Sequence, residues 1–285
     1  MWKTKLALGT SSQFGISVEE QIKLFHKTGF EGFFTDMQDR ENIAKYRRLA
    51  DELGMIYQSI HAPFSKAADF WTEGKAAENA VAELTDCVRC CAEYGVPVMV
   101  THVIVGFDKH EPNDIGVKNY ERVVTEAEKC GVKVAFENTE GEEYLAAVMK
   151  GLSHHENVGF CWDTGHEMCY NHSHDMMAMY GDRIIATHIN DNLGIKDFNG
   201  EITWFDDLHL LPFDGIADWG NVAVRLNKYG YNGILTFELI KESKPDRFEN
   251  DIYAKMPIEE YIAEAYKRAC RFAALKQRCN ITDVN

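Results

Sequence analysis

Six apolar runs in this 285-residue chain each stop at a side chain able to bind a metal ion. Residues 56–60 lead to His61, 96–101 to His102, 132–136 to Glu137, 158–162 to Asp163, 184–187 to His188 and 234–237 to Glu238. The sharpest case is Asn157-Val158-Gly159-Phe160-Cys161-Trp162-Asp163-Thr164-Gly165-His166. There a run apolar enough for a buried parallel strand gives way to a carboxylate and, three residues later, an imidazole. Such groups are costly to bury unless something binds them, and a metal cation is the natural candidate. A single histidine of this kind is explained by a structural hydrogen bond, and a strand-end carboxylate often caps the following helix. Six in register call for another explanation.

The elements that must position these residues follow from the spacing. The six ligand-type residues are separated by 41, 35, 26, 25 and 50 residues, close to one βα unit each or, for the last, a unit enlarged by a loop. Strand patterns at residues 5–9, 30–35, 55–60, 98–102, 132–137, 157–163, 183–188 and 233–239 alternate with helical patterns. The helices are expected at 17–27, 41–53, 76–94, 119–130, 143–152, 170–180, 217–229 and 258–275. Ser17-Val18-Glu19-Glu20 carries a capping-box pattern, and Gly29, Gly54, Gly95 and Gly131 stand where helices stop. This alternation implies a parallel sheet. Ligand residues at the ends of six separate strands converge only if that sheet closes, so the fold expected is an α/β (β/α)₈ TIM barrel, a single domain over residues 1–285, in preference to an open doubly wound sheet. Two long connections stand out. Residues 61–74, with Phe64, Phe70 and Trp71, are expected to form either a substrate-facing loop over the mouth or a small capping patch without ligand contact. Residues 190–215 carry little periodicity, which in a compact domain marks a functional loop.

Composition narrows the function. A hydrophobic fraction of 45% and a charged fraction of 26% are those of an ordinary globular protein, with no span for a bilayer and no signal-peptide pattern, so a cytoplasmic location is expected. The eight cysteines fall mostly inside helix- or strand-like runs and are read as reduced thiols, the Cys87-x-x-Cys90 spacing as ordinary helix residues. With 30 Lys plus Arg against 45 Asp plus Glu, the formal charge is −15, which argues against nucleic acid, whose phosphates are held by basic residues. A small-molecule partner is expected, and an oligomer is compatible with the sequence.

Four strings carry a family resemblance: Phe136-Glu137-Asn138-Thr139, Trp162-Asp163-Thr164-Gly165-His166, Thr187-His188-Ile189-Asn190-Asp191 and Asp207-Leu208-His209-Leu210-Leu211-Pro212. Together they resemble the xylose isomerase-like TIM barrel superfamily, which contains sugar isomerases and epimerases and the endonuclease IV type of DNA-repair enzyme. In the sugar-processing branch the resemblance implies one divalent metal on Glu137, Asp163, His188 and Glu238, a donor set suited to Mn²⁺ or Mg²⁺, with Co²⁺ or Zn²⁺ as further candidates. It implies catalytic roles for Glu137 and Glu238, exchanging protons on opposite faces of a sugar or polyol through an enediolate. His61, His102, His166, His209 and Glu143 are then substrate-binding, with Glu143 read equally well as a carboxylate favoured by the dipole at a helix N-terminus.

In the endonuclease branch the resemblance implies three zinc ions on a wider set, to which His61, His102, His166, Asp207 and His209 are added. A dehydratase acting on a cyclic polyol is a third reading of the same residues. Where ketose epimerases of this family often carry an arginine shortly after the seventh strand, Asn192-Leu193-Gly194 stands instead, which leaves the sugar and the reaction open.

Overall fold

The computed structural model describes residues 4–107, 111–171, 174–195 and 201–279. Eight strands form one parallel sheet: β1 (Leu6–Gly9), β2 (Gly32–Asp36), β3 (Ile56–His61), β4 (Val98–Thr101), β5 (Lys133–Glu137), β6 (Val158–Asp163), β7 (Ile184–His188) and β8 (Leu235–Phe237). From β1 to β7 each strand pairs with the next in sequence, and β1 pairs with β8, Ala7 opposite Thr236. Between β7 and β8 the ring is completed by one bridge at Ile189 and Phe237, with Ile189 N–H donating to the Thr236 carbonyl at 2.8 Å. The result is a nearly closed (β/α)₈ barrel in one domain, as the alternation predicts.

The helices outside the barrel are α1 (Val18–Thr28), α2 (Arg40–Leu53), α3 (Lys75–Glu93), α4 (Asp114–Cys130), α5 (Glu142–Gly151), α6 (Thr164–Cys169), α7 (Met176–Tyr180), α8 (Trp219–Lys228), α9 (Asp251–Ala254) and α10 (Ile258–Arg278). Local chemistry sets their ends. Ser17 and Glu20 complete a reciprocal capping box on α1. Gly54 closes α2 at φ 66°, a conformation that costs any side chain, and its N–H bonds back to the carbonyls of Ala50 and Asp51. Residues 170–180 do not form the one helix expected. The chain turns helical earlier, at Thr164, because Asp163 caps α6 through its side chain, and α7 starts anew after Asp175 caps it; residues 172 and 173 lie outside the described set. Helix α4 begins at Asp114, five residues before its apolar pattern, because Asn113 caps it. All eight cysteines are unpaired, and Cys87 and Cys90 lie within α3.

Two apolar regions fill the fold. The large one lies between sheet and helices and takes the outward strand residues, among them Ile60, Met99, Phe136, Phe160 and Trp162. The small one comprises Val98, Val100, Ala135, Cys161 and Ala186, the inward residues of four consecutive strands. Side chains in the barrel interior are short because opposing strands are near one another. Phe70 and Trp71, expected over the mouth, are instead buried in the outer layer: a short 3₁₀ helix at Ala67–Trp71 turns them inward, and the Trp71 indole donates to the Val103 carbonyl at 2.8 Å. Phe64 remains 43% exposed at the mouth.

Helix α4 meets Trp71 at Gly116, where a Cβ would lie 2.1 Å from the indole ring. Gly116→Ala is therefore expected to destabilise the protein by about 1–3 kcal/mol, since neither backbone nor a buried indole can yield cheaply. Chemical denaturation checks this, and an unchanged midpoint would show that the helix can shift.

Candidate metal centre

The site is built by strand alternation. His102, Glu137, Asp163 and His188 each stand two residues beyond an interior residue, respectively Val100, Ala135, Cys161 and Ala186, so each points along the barrel axis at the mouth. Glu137 is at the centre and is 1% exposed. Its Oε1 lies 2.9 Å from His188 Nδ1 and 3.6 Å from His166 Nδ1. Its Oε2 lies 3.3 Å from His61 Nε2 and 3.4 Å from His102 Nε2. Glu238 reaches the same His188 Nδ1 at 3.2 Å. On the far side, Asp207 Oδ1 lies 2.9 Å from His209 Nε2 and 3.4 Å from His166 Nε2.

Nine of the ten residues singled out from the sequence are thus brought together. Glu143 is the exception: it is exposed in the first turn of α5, and no described contact joins it to the cluster.

Residues that the sequence did not single out hold these in place. Asn138 accepts from Asp163 N–H at 2.8 Å and donates to the Asp163 carbonyl at 2.9 Å, clamping the end of β6 to that of β5. Asn190 donates to Asp163 Oδ2 at 2.8 Å, and the other carboxylate oxygen accepts the His166 N–H at 2.7 Å. Gly165 leaves room for Asn190, whose side-chain oxygen would lie 1.9 Å from a Cβ there. Asp191 accepts from Phe213 N–H, Ala217 N–H and the Trp219 indole at 2.9, 3.0 and 3.1 Å. That carboxylate ties the segment carrying Asp207 and His209 to β7, aided by the bridge of Asp191 to Leu210. His209 and Phe213 both have positive φ, 45° and 74°, a costly conformation that concentrates at functional sites. The signal for Asn138, Asn190 and Asp191 was present in the quoted strings, but hydrogen-bond partners depend on which strands become neighbours.

The electrostatics are those of a closely coupled cluster. Burial raises the Glu137 carboxyl, but the imidazoles of His188, His102 and His61 outweigh it and hold that carboxyl well below the usual range. Burial pushes Asp163 up to about 6, partly offset by His166 and His209. Burial opposes charge on His209, yet Asp207 beside it holds the imidazole up at about 9. His166 and His188 are held well above the ordinary value by Asp163 with Asp207, and by Glu137 with Glu238, against the same opposing burial. His102 is lowered by burial.

Among the described residues, four groups at the mouth have ligand atoms within 4.8 Å of one another: His61, His102 and Glu137; Glu137, Cys161 and His188; Glu137, Asp163, His188 and Glu238; and Asp163, His166 and His209. Glu137 is shared by three of them and Asp163 by two. Buried His102 Nδ1 and His188 Nε2 have no hydrogen-bond partner, so these rings are not spent on ordinary structural bonds at both nitrogens. Buried carboxylates facing imidazoles at these distances fit divalent cations, whose charge offsets the desolvation that protons must otherwise offset.

Comparison with known proteins agrees with this fold. The family model "Xylose isomerase-like TIM barrel" matches residues 22–271. The uncharacterized protein y4fM of Sinorhizobium fredii is 29% identical over 268 residues, covering 78% of this chain and 80% of its own. A probable endonuclease 4 of Nitrosopumilus maritimus is 30% identical over 164 residues, 52% of this chain and 58% of its own. Among solved structures, the IolI protein with a bound zinc atom superimposes with a TM-score of 0.73 at 20% identity, covering 95% of this chain and 98% of that one. D-psicose 3-epimerase from Clostridium cellulolyticum, solved with D-tagatose, gives 0.70 at 16% identity over 94% and 99%. A match across most of the chain, with the ligand-bearing strand ends inside it, places this protein in the xylose isomerase-like TIM barrel family.

Proposed function

We propose that the chain is a divalent-metal-dependent isomerase or epimerase of a small sugar, sugar phosphate or polyol, working by proton transfer through an enediolate. The observation that carries this reading is the convergence of Glu137 and Glu238 on one imidazole nitrogen, His188 Nδ1, at 2.9 and 3.2 Å. Two carboxylates so placed at the barrel mouth suit proton removal and return at adjacent carbons. A divalent cation on Glu137, Asp163, His188 and Glu238 supplies Lewis-acid polarisation of a carbonyl.

The chain's own groups do the rest. Glu238, 28% exposed against 1% for Glu137, is the freer base and takes the first proton. Glu137, its oxygens lined by imidazoles, serves the opposite face. His61, His102, His166 and His209 hold substrate hydroxyls, which need partners once water is excluded.

The mouth supports a polyhydroxylated small molecule. Phe64 stacks on His102 at 4.6 Å between ring centroids, and Phe107 meets Tyr170, which in turn meets His166. Phe64 and Phe107 are both over 40% exposed, giving apolar faces for the C–H side of a sugar. The cations of the loop after β8 are committed. Lys244 lies on Asp207 at 3.4 Å, Arg247 on Glu249 at 2.7 Å, and Lys241 donates to the Ala254 carbonyl at 2.9 Å. Phosphates of a duplex would have to displace these pairs. The D-psicose 3-epimerase likeness is consistent with this choice.

A second reading rests on a different observation, the ligand groups that share Glu137 and Asp163. That pattern suits a trinuclear zinc phosphodiesterase acting at abasic DNA, and two relatives bear the name probable endonuclease 4. A dehydratase on a cyclic polyol uses the first set of residues and differs in losing water after proton removal. Mass analysis of the product separates it from an isomerase.

Solvent deuterium wash-in over a panel of ketoses and ketose phosphates tests the leading reading. The metal-loaded protein is expected to exchange one α-hydrogen in its substrate, and Glu238→Gln to lower that rate by about 10²- to 10⁴-fold. No exchange at any carbon would overturn it.

Metal content separates the one-metal from the three-metal site. His188→Ala is expected to empty the centre, whereas His166→Gln keeps the wild-type metal content and raises KM or lowers kcat. Metal lost from His166→Gln would favour the trinuclear reading.

The raised pKa of His166 and His188, and of His209 at about 9, bear on the pH dependence. Of these, only His188 is a ligand of the one-metal centre, and a cation can bind its ring only by displacing the proton that Glu137 and Glu238 favour. Metal affinity is therefore expected to rise with pH through the neutral range, by about tenfold per pH unit for that one proton. Calorimetry in buffers of different ionisation enthalpy counts that proton, and a pH-independent affinity between pH 6 and 8 would contradict it.

A further inference from the structure

A second cluster of ligating side chains lies outside the barrel, between α4 and the turn that leads from α5 into β6. Glu121 and Glu128, seven residues apart on α4, face His154 and His155 in that turn. His155 Nδ1 lies 2.8 Å from Glu128 Oε1, a contact that fixes the ring proton on Nδ1 and leaves Nε2 with its lone pair free. The His155 side chain is only 10% exposed, and its Nε2 is buried without a hydrogen-bond partner. That nitrogen is 3.8 Å from Glu121 Oε1, and His154 Nε2 is 3.5 Å from the same oxygen.

We propose that Glu121, His154 and His155 form a second transition-metal site, selective for Zn²⁺-type cations and separate from the centre at the barrel mouth. Their ligand atoms all lie within 4.8 Å of one another. A tetrahedral zinc, with ligand bonds of about 2.0–2.2 Å, holds its ligand atoms about 3.3 Å apart, so Glu121 Oε1 need draw in by only roughly half an ångström or less towards each imidazole nitrogen. Two imidazoles and one carboxylate leave the fourth position to water. A carboxylate on the non-ligating nitrogen of a metal-bound histidine is the usual support for such a ligand, and Glu128 supplies it.

The site is pinned rather than fortuitous in its placement. Asn157 donates its side-chain amide to the Val124 and Val132 carbonyls at 3.2 and 3.3 Å, holding the turn against α4. His155 N–H bonds to the Leu152 carbonyl at 3.1 Å. The turn precedes β6, so the cluster sits at the opposite end of the barrel from the mouth. A cation there clamps the end of α5 to α4 and reaches neither substrate nor the central ligands.

The full-length protein, stripped with chelator, is titrated with Zn²⁺ alongside His154→Ala/His155→Ala, Glu121→Gln and Glu128→Gln. Wild type is expected to take up one equivalent more than either the double variant or Glu121→Gln. Glu128→Gln should keep that equivalent with an affinity about 10- to 100-fold weaker. His188→Ala, which disturbs only the mouth, should retain it. Thermal melting establishes that each variant is folded, and Glu121→Gln, which changes no packing volume, stands in if the double variant is not. Equal zinc uptake by wild type and Glu121→Gln, or loss of this equivalent with His188→Ala, would overturn the proposal.

Discussion

The constraint on which the rest depends is the burial of two carboxylates, Glu137 and Asp163, at the end of the barrel axis. Both are essentially inaccessible to solvent. A carboxylate in such a place must be neutralised, by a proton, by a cation or by charged neighbours, because its desolvation is worth several kcal/mol. Here five imidazoles crowd round, three of them within 3.4 Å of Glu137. The carboxylates hold the imidazoles of His166, His188 and His209 above their ordinary pKa, so charge on these rings offsets part of the cost. A bound cation would offset the same charge.

The barrel satisfies this constraint economically. Parallel strands all end on the same face, and alternation sends every second residue inward, so a ligand two residues past a small interior side chain lands on the axis. Small interior residues, Ala135, Cys161 and Ala186 among them, keep the ring narrow enough for opposite strands to share a ligand cluster. The remaining positions need help, since Asp207 and His209 lie on no strand. Asp191 provides it by gathering three donors from the returning segment. The left-handed backbone at His209 is the strain that this anchoring sustains.

Glu137 and Asp163 each belong to more than one group of candidate ligands, so the same residues can be grouped round one cation or several. What surrounds the mouth then bears on the substrate. Exposed Phe64 and Phe107 stand there beside cations already paired with carboxylates, which is the surface on which the proposed small hydroxylated substrate rests.

The order of elements was legible in the sequence, because local signals decide it: the capping box at Ser17 and Glu20, the left-handed closure at Gly54, and apolar runs of strand length. So was the cluster, since six ligand residues at βα spacing converge only in a closed barrel. The sequence could not show that the helix expected at 170–180 is replaced by α6, which ends at Cys169, and α7, which starts at Met176, because the early start follows from Asp163 capping α6 while its side chain also serves the site. Nor could it assign Phe70 and Trp71 to the outer layer, or Glu143 to solvent, since direction depends on the local turn and not on residue type. Asn138, Asn190 and Asp191 stood in the quoted strings without a role, and the Glu121, Glu128, His154 and His155 cluster was silent. Period and propensity act within a segment and can be read along the chain. Hydrogen bonds between strand ends, and ligands drawn from a helix and a distant turn, exist only after tertiary packing has made neighbours of residues far apart in sequence.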